Sequence, residues 1–218
     1  MRIGILGGTG PAGSALAARL ASVGFETIVG SRSKYRAMEA VDGLLERWSG
    51  RELPVEAGDN SDAALAELVV IATPWDGATQ TAQSVEQELR GKVIISMANA
   101  LTRIGKEFQP LVPPRGSVAA SIQAVLPRSY VAAAFHHVPA KELGDIEHPI
   151  ESDVLICSDH PSALATTSDL VAKIPNMRAL DCGELSLATP IESFTAVLLQ
   201  LNVRYKTRVA LKFTSIPE

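Results

Sequence analysis

The segment Arg2–Gly13 limits what this chain can fold into more than any other. Arg2-Ile3-Gly4-Ile5-Leu6 is a short apolar run, the pattern of a strand buried on both faces. Gly7-Gly8-Thr9-Gly10-Pro11-Ala12-Gly13 follows with no spacer. Small residues from Ser14 to Val23 then predict a helix, with Gly24 placed to end it. Glu26-Thr27-Ile28-Val29-Gly30 reads as a second strand, which makes a βαβ unit of about 30 residues. Gly8-x-Gly10-x-x-Gly13 has dinucleotide-binding spacing, and its place between a strand and a helix is the context that gives the pattern meaning. Gly8 permits the tight turn, Gly10 admits the pyrophosphate to the backbone, and Gly13 lets helix and strand pack closely. Pro11 suits a first helical turn, where its missing N–H costs nothing.

The alternation continues. Ser33–Ser49 is helical, with Met38, Val41, Leu44, Leu45 and Trp48 on one face. Val55–Gly58 is a short strand, and Asn60-Ser61-Asp62 caps a helix through Glu67. Leu68–Thr73 is a strand stopped by Pro74, Gly77–Leu89 a helix and Val93–Ser96 a strand. Val118–Leu126 is a helix and Tyr130–Phe135 a strand. After Pro139 come a strand at Val154–Cys157, a helix at Ser162–Ile174, a short strand at Arg178–Leu180 and a long helix from Pro190 past Arg208. The expected fold is α/β: a Rossmann-type, doubly wound parallel sheet over residues 1–139 and a small α/β lobe over 140–218.

Composition excludes several functions. Twenty Lys+Arg against 24 Asp+Glu leave a net charge of −4, which argues against a nucleic-acid or membrane-surface binder. Cys157 and Cys182 form no CxxC and have no ligand-spaced histidine, so neither a metal site nor a disulfide framework is expected. Free thiols in a reducing cytoplasm are the expectation. The longest uncharged run, Ile3–Ala18, is broken by glycines and a proline, so no membrane span is expected.

The second strand runs into Gly30-Ser31-Arg32-Ser33-Lys34, with no acid where NAD enzymes hold the adenosine ribose. A hydroxyl and a guanidinium there bind a 2′-phosphate, which a carboxylate would repel, so Ser31 and Arg32 select NADP. Lys34 and Arg36 add charge or are simply solvated. Thr73-Pro74-Trp75 and Ser96-Met97-Ala98-Asn99 end strands that border the same cleft, with Trp75 either shielding it or packing under a loop. No Tyr-x-x-x-Lys pair or G-x-S-x-G motif is present. His136 and His137 follow a strand and point to opposite sides, so at most one faces the cleft. His148 and His160 read as surface residues.

The glycine loop, Gly30-Ser31-Arg32, Pro74-Trp75, His136-His137-Val138-Pro139-Ala140 and Asn202-Val203-Arg204-Tyr205-Lys206 occur in an order that resembles the coenzyme F420:NADP oxidoreductases over nearly the full length. The resemblance implies hydride exchange between NADP(H) and the deazaflavin coenzyme F420 by a cytoplasmic homodimer. It implies NADP contacts from Thr9, Gly10, Pro11, Ala12, Ser31, Arg32 and Arg36, and nicotinamide-side contacts from Thr73, Pro74, Asn99 and Ala140. It places His136, as the catalytic candidate, and Val138 beside the deazaflavin, with Asn202, Arg204 and Val209 at the C-terminal end of that site. Arg204, Arg208 and Lys212 would form one basic helical face for the coenzyme's anionic tail, or would merely cover apolar surface. Rival readings are another NADPH-dependent reductase, of a flavin, imine or keto acid, and an NADP sensor without catalysis. Turnover against a panel of acceptors separates all three.

Overall fold

The computed structural model describes residues 1–216. Its elements in chain order are β1 (Arg2–Leu6), α1 (Pro11–Ser22), β2 (Glu26–Ser31), α2 (Lys34–Arg47), β3 (Val55–Asp59), α3 (Asn60–Ala64), β4 (Leu68–Ile71), α4 (Trp75–Ser84), α5 (Glu86–Leu89) and β5 (Val93–Ser96). Then follow β6 (Leu101–Ile104), β7 (Glu107–Pro110), α6 (Val118–Val125), β8 (Tyr130–Ala133), α7 (Ala140–Leu143), β9 (Ser152–Ile156), α8 (Pro161–Ala172), β10 (Met177–Asp181) and α9 (Ala188–Tyr205). The main sheet has the order β3-β2-β1-β4-β5-β8, and every adjacent pair is parallel. That order reverses between β1 and β4, which opens a crevice at the carboxyl ends of these two strands. The expected Rossmann-type sheet is therefore present.

Burial accounts for the architecture. The strands carry continuous apolar runs because both faces are covered. One buried cluster joins Ile3, Ile5, Leu16 and Leu20 to Phe135, Val154, Ile156 and Leu170. The other face buries Leu6, Ile71, Ile94, Val131 and Ile122 with Ile191 of α9. Residues after Pro139 thus contribute to both layers of core. Their own sheet is the parallel pair β9–β10, joined to the main sheet by an antiparallel bridge between Ala133 and Cys157.

Several local results differ from the sequence reading: the helix expected at Gly77–Leu89 is two, α4 and α5, α7 was not expected, and three further differences bear on the crevice and its surroundings. Asp59, not Asn60, caps α3: its carboxylate accepts the Asp62 N–H (2.8 Å) while the Asp62 carboxylate accepts the Asp59 N–H (3.1 Å). A hairpin, β6–β7, occupies a stretch for which no element was expected, turning at Gly105 (φ +61°) and Lys106. It rests on α9, where Gln200 accepts the Phe108 N–H (3.3 Å). Finally, α9 stops at Tyr205, with Lys206 left-handed (φ 51°), instead of running past Arg208. Residues beyond it extend along β9, where the Asp153 N–H donates to the Leu211 carbonyl (2.7 Å).

Arg19 on α1 is 2% exposed and ties residues 142–148 to the sheet. Its guanidinium donates to the carbonyls of Leu143 (3.0 Å), Glu142 (3.1 Å), His148 (3.0 Å) and Asp145. Arg19→Met strands these acceptors, and a loss of about 3 kcal/mol or more is expected. Urea unfolding checks this: Arg19→Lys, lacking the planar fork, should recover only part of the loss, and a midpoint unchanged in both variants would contradict it.

Candidate functional site

The crevice is built from the glycine loop upward. Gly7 takes φ +70°, and a Cβ there would stand 2.5 Å from Thr73 Cγ2. Its N–H donates to Asn60 Oδ1 (3.3 Å). The Gly8 N–H donates to the Ile5 carbonyl (3.1 Å) and the Gly30 carbonyl (2.8 Å), which pins the loop across β1 and β2. A Cβ on Gly8 would meet the Ile5 carbonyl at 2.9 Å, and one on Gly13 would meet Gly8 Cα at 2.8 Å. Gly10 is different. Its φ is −75°, and the nearest atom to an added Cβ is the Gly7 carbonyl oxygen at 3.6 Å. Neither backbone conformation nor internal packing demands glycine at this point, so its bareness serves what approaches from outside. Gly10 is also the N-cap of α1 and offers no side-chain cap, leaving the N–H groups of Ala12 and Gly13 directed to the mouth of the loop. That is the donor set an anionic group needs. Thr9 lies on the same loop, half-buried, and Pro11 is the first helical residue.

Ser31 ends β2, buried, and its Oγ accepts the Ser33 N–H (3.3 Å). Arg32 and Arg36 are exposed, and among the described residues neither is ion-paired. Lys34 is committed to Asp62 (3.3 Å). Asp59 pairs in register with Ser31, but its carboxylate is used in the α3 cap. The Asp59 N–H and Lys34 hold the Asp62 carboxyl below the ordinary range. The acids nearest Ser31 are thus occupied, while two guanidinium groups remain available.

On the far side of the crevice, Thr73 Oγ1 is buried without a partner, Pro74 is the N-cap of α4, and Trp75 opens that helix at 36% exposure. Ser96 Oγ at the end of β5 is likewise orphaned. Asn99 turns inward: its Nδ2 donates to the His136 carbonyl (2.9 Å), and its Oδ1 accepts from Thr195 Oγ1 (3.2 Å). Ala140 opens α7 and, with Pro11, lines a groove of about 490 Å³ between α1, α2 and α7.

The histidines do not behave as an extended strand predicts. Phe135 adopts φ +64°, a conformation a bulky residue holds only when its surroundings impose it. After this kink both imidazoles are buried. His136 has 0% side-chain exposure, and both of its ring nitrogens lack hydrogen bonds. Burial, then the neighbouring His137, pulls its pKa down to about 3. His137 Nε2 pairs with the Asp153 carbonyl (2.8 Å). The Val138 side chain also lies in the core. At most one imidazole was expected to face the cleft; here both side chains are buried, and His136 faces Glu192, whose Oε1 lies 4.0 Å from Nε2.

Glu192 went unnoticed in the sequence. It is 4% exposed, and its two oxygens accept the Val118 N–H (2.8 Å) and the Ala119 N–H (3.0 Å) at the start of α6. Burial raises its pKa to about 7, against the lowering effect of these two amides. Its only sequence signal was being the last acid before Glu218.

At the C-terminal end, Asn202 Oδ1 accepts the Val209 N–H (2.7 Å) and so shapes the turn after α9, with Val209 half-buried. Arg204 is exposed and unpaired among the described residues. The basic face Arg204–Arg208–Lys212 does not exist, because α9 ends before Arg208. Arg208 pairs with Glu142, and Lys212 with Glu151. Burial pushes the Cys157 thiol up to about 12, which removes it as a nucleophile at neutral pH.

Comparison with known proteins converges on one family. Residues 2–100 match the family described as NADP oxidoreductase, coenzyme F420-dependent. The F420-dependent NADP reductase of Methanocaldococcus jannaschii is 38% identical over 95% of both chains. That of Methanothermobacter marburgensis is 37% identical over the full length of both. The crystal structure of a putative F420-dependent NADP reductase from Arthrobacter sp. FB24 superimposes with a TM-score of 0.82 at 24% identity, covering 95% of this chain and 96% of that one. An imine reductase from Bacillus cereus shares the fold at 16% identity and TM-score 0.63, with 94% of this chain on 63% of that one.

The buried imidazole gives a pH prediction. An unfolded chain protonates His136 below its ordinary 6.5, whereas the folded chain refuses that proton down to about 3. Stability should therefore fall as pH drops from 6.5 toward 3. In His136→Leu this fall should be shallower, measured by denaturant unfolding across the same window. Parallel pH profiles for the two proteins would show that His136 is not held neutral.

Proposed function

The chain belongs to the coenzyme F420-dependent NADP oxidoreductase family, and we propose that it exchanges a hydride between NADP(H) and coenzyme F420. One observation carries the NADP half: a bare Gly10 at an uncapped helix start, with the free guanidinium of Arg32 past the end of β2. On this reading Gly8, Thr9, Gly10, Pro11, Ala12 and Gly13 cradle the pyrophosphate. Ser31, Arg32 and Arg36 take the 2′-phosphate, and Thr73, Pro74, Asn99 and Ala140 border the nicotinamide half.

The two carriers, when bound, supply the hydride chemistry themselves. The chain's part is to orient them and exclude water. The segment His136–Val138 meets the deazaflavin through its main chain, since both side chains face the core. His136 acts as a positioning residue whose carbonyl is held by Asn99 and Thr195. Asn202 holds the Val209 backbone at the opposite edge, and Arg204 supplies a positive charge there that is unpaired among the described residues. Sealed histidines and a protonated Cys157 suit two hydride carriers better than an imine or keto acid, which needs a proton donor at the cleft. Stopped-flow absorbance of NADPH and oxidised coenzyme F420 tests the reaction directly, and NADPH binding without transfer would refute it. Arg32→Ala should weaken NADPH binding by about 1.5–3 kcal/mol, roughly 10- to 100-fold, and leave NADH binding unchanged. Equal losses for both nucleotides would defeat the assignment.

The assembly is read as a homodimer. Leu187 (43% exposed), Pro190, Phe194 (39%) and Val197 (49%) form an apolar stripe along α9 at spacings of three and four. A two-fold axis buries such a stripe against its own copy. The paired substitution Phe194→Glu with Val197→Glu should halve the mass seen by light scattering, and an unchanged mass would place the interface elsewhere. Two unpaired cysteines support a reducing, cytoplasmic setting, and no helix among the described residues is long and apolar enough to cross a membrane.

A further inference from the structure

Two helices meet under the carrier half of the crevice through one carboxyl group. Glu192 on α9 accepts the N–H groups of Val118 and Ala119, the first two residues of α6. Three residues along α9, Thr195 donates to the His136 carbonyl (3.3 Å). One face of α9 therefore addresses His136 twice, through its carbonyl and through its ring. The ring contact is incomplete. His136 Nδ1 and Nε2 both lack partners, and Nε2 lies 4.0 Å from Glu192 Oε1. A buried polar group normally has a hydrogen bond, and leaving one unmade costs about 1–3 kcal/mol. A shift of about 1 Å brings this pair to hydrogen-bonding distance. A neutral imidazole carries one N–H, so Nε2 can accept from a protonated Glu192 carboxyl or, in the other tautomer, donate to an ionised one.

We propose that Glu192 is a positioning residue for the carrier half of the cleft: when protonated, its carboxyl donates to His136 Nε2, and when ionised it accepts from Nε2–H, so the charge of the carboxyl sets the His136 tautomer and with it the packing of the His136–Val138 segment. The functional consequence rests on the reading of that segment as the deazaflavin contact. No bond is made or broken apart from the carboxyl O–H and the imidazole N–H that changes nitrogen, whose protons exchange with solvent. The groups that face this carboxyl are few. The segment after β8 contributes His136, with His137 acting on that ring and not on the carboxyl, the residue after β9 contributes the Cys157 thiol, and the start of α6 contributes only backbone amides. No lysine or arginine is paired with Glu192 among the described residues. With His136 resisting protonation to about 3 and Glu192 titrating near 7, the carboxyl is the member of the pair that changes charge in the neutral range.

The test is nuclear magnetic resonance on the resting protein with ¹⁵N-labelled histidine, between roughly pH 6 and 8. The His136 ring signal should show a transition near neutrality in the native protein, matched by the Val118 and Ala119 amide signals, and should show none in Glu192→Gln. A native His136 signal that does not change, or changes out of step with those amides, overturns the proposal even if the variant fails to fold. A transition that persists in folded Glu192→Gln overturns it too. In turnover, KM for coenzyme F420 should change about three-fold across this range in the native enzyme and stay flat in Glu192→Gln, with NADP affinity the same in both. A KM that follows pH equally in both proteins defeats the positioning role. The resonance measurements use no substrate, so they stand apart from whether coenzyme F420 is the acceptor.

Discussion

The crevice depends on how closely the first turn of α1 approaches the ends of β1 and β4. A Cβ on Gly13 would lie 2.8 Å from Gly8 Cα and 3.1 Å from the Ala72 side chain, so a larger residue would lift the helix off the sheet. The opposite face of the sheet shows the same economy. A Cβ on Gly4 would fall 1.8 Å from the Ala63 carbonyl, and one on Gly30 would lie 2.7 Å from Ala63 Cβ. Bare backbone on both strands admits α3, and α3 brings Asn60 close enough to take the Gly7 N–H. The helix start proposed to face a phosphate is therefore positioned by contacts on both sides of the sheet. Dipole and free N–H groups act only because that packing holds them still.

The second half of the cleft is organised by α9. This one helix holds the hairpin through Gln200, the start of α6 through Glu192, the His136 segment through Thr195, and the turn carrying Val209 through Asn202. Strain at Phe135 is the counterpart: a buried aromatic residue at positive φ turns His136 away from the open side. Burial of Phe135, worth about 1.5–3 kcal/mol, helps to offset a strained backbone of similar cost. The arrangement is one of orientation, with no exposed acid or base histidine at the cleft, as expected where the bound carriers perform the chemistry.

How much of this was legible varies with the range of the interaction. Alternating apolar runs and helical stripes read correctly because burial on two faces of a sheet leaves a local pattern. The glycine spacing and the missing acid after β2 were legible because loop, helix start and strand end are adjacent in the chain. The end of α9 was misjudged because Asn202, through its bonds to the following turn, competes with continued helix. The basic stripe failed with it, since the partners of Arg208 and Lys212, Glu142 and Glu151, lie about sixty positions away. Glu192 was invisible because its meaning comes from amides more than seventy residues distant.

By itself the sequence determined that a βαβ unit with dinucleotide-binding glycine spacing opens the chain, that no acid stands just past β2 to repel a 2′-phosphate, and that a parallel sheet carries the unit. These follow from steric and electrostatic rules acting over a few residues. Only the tertiary structure decided that His136 and His137 are sealed inside, which charges remain free, and that a buried carboxyl joins α9 to the start of α6. Desolvation and pairing are properties of a surrounding medium, and that medium is assembled from residues far apart in the chain.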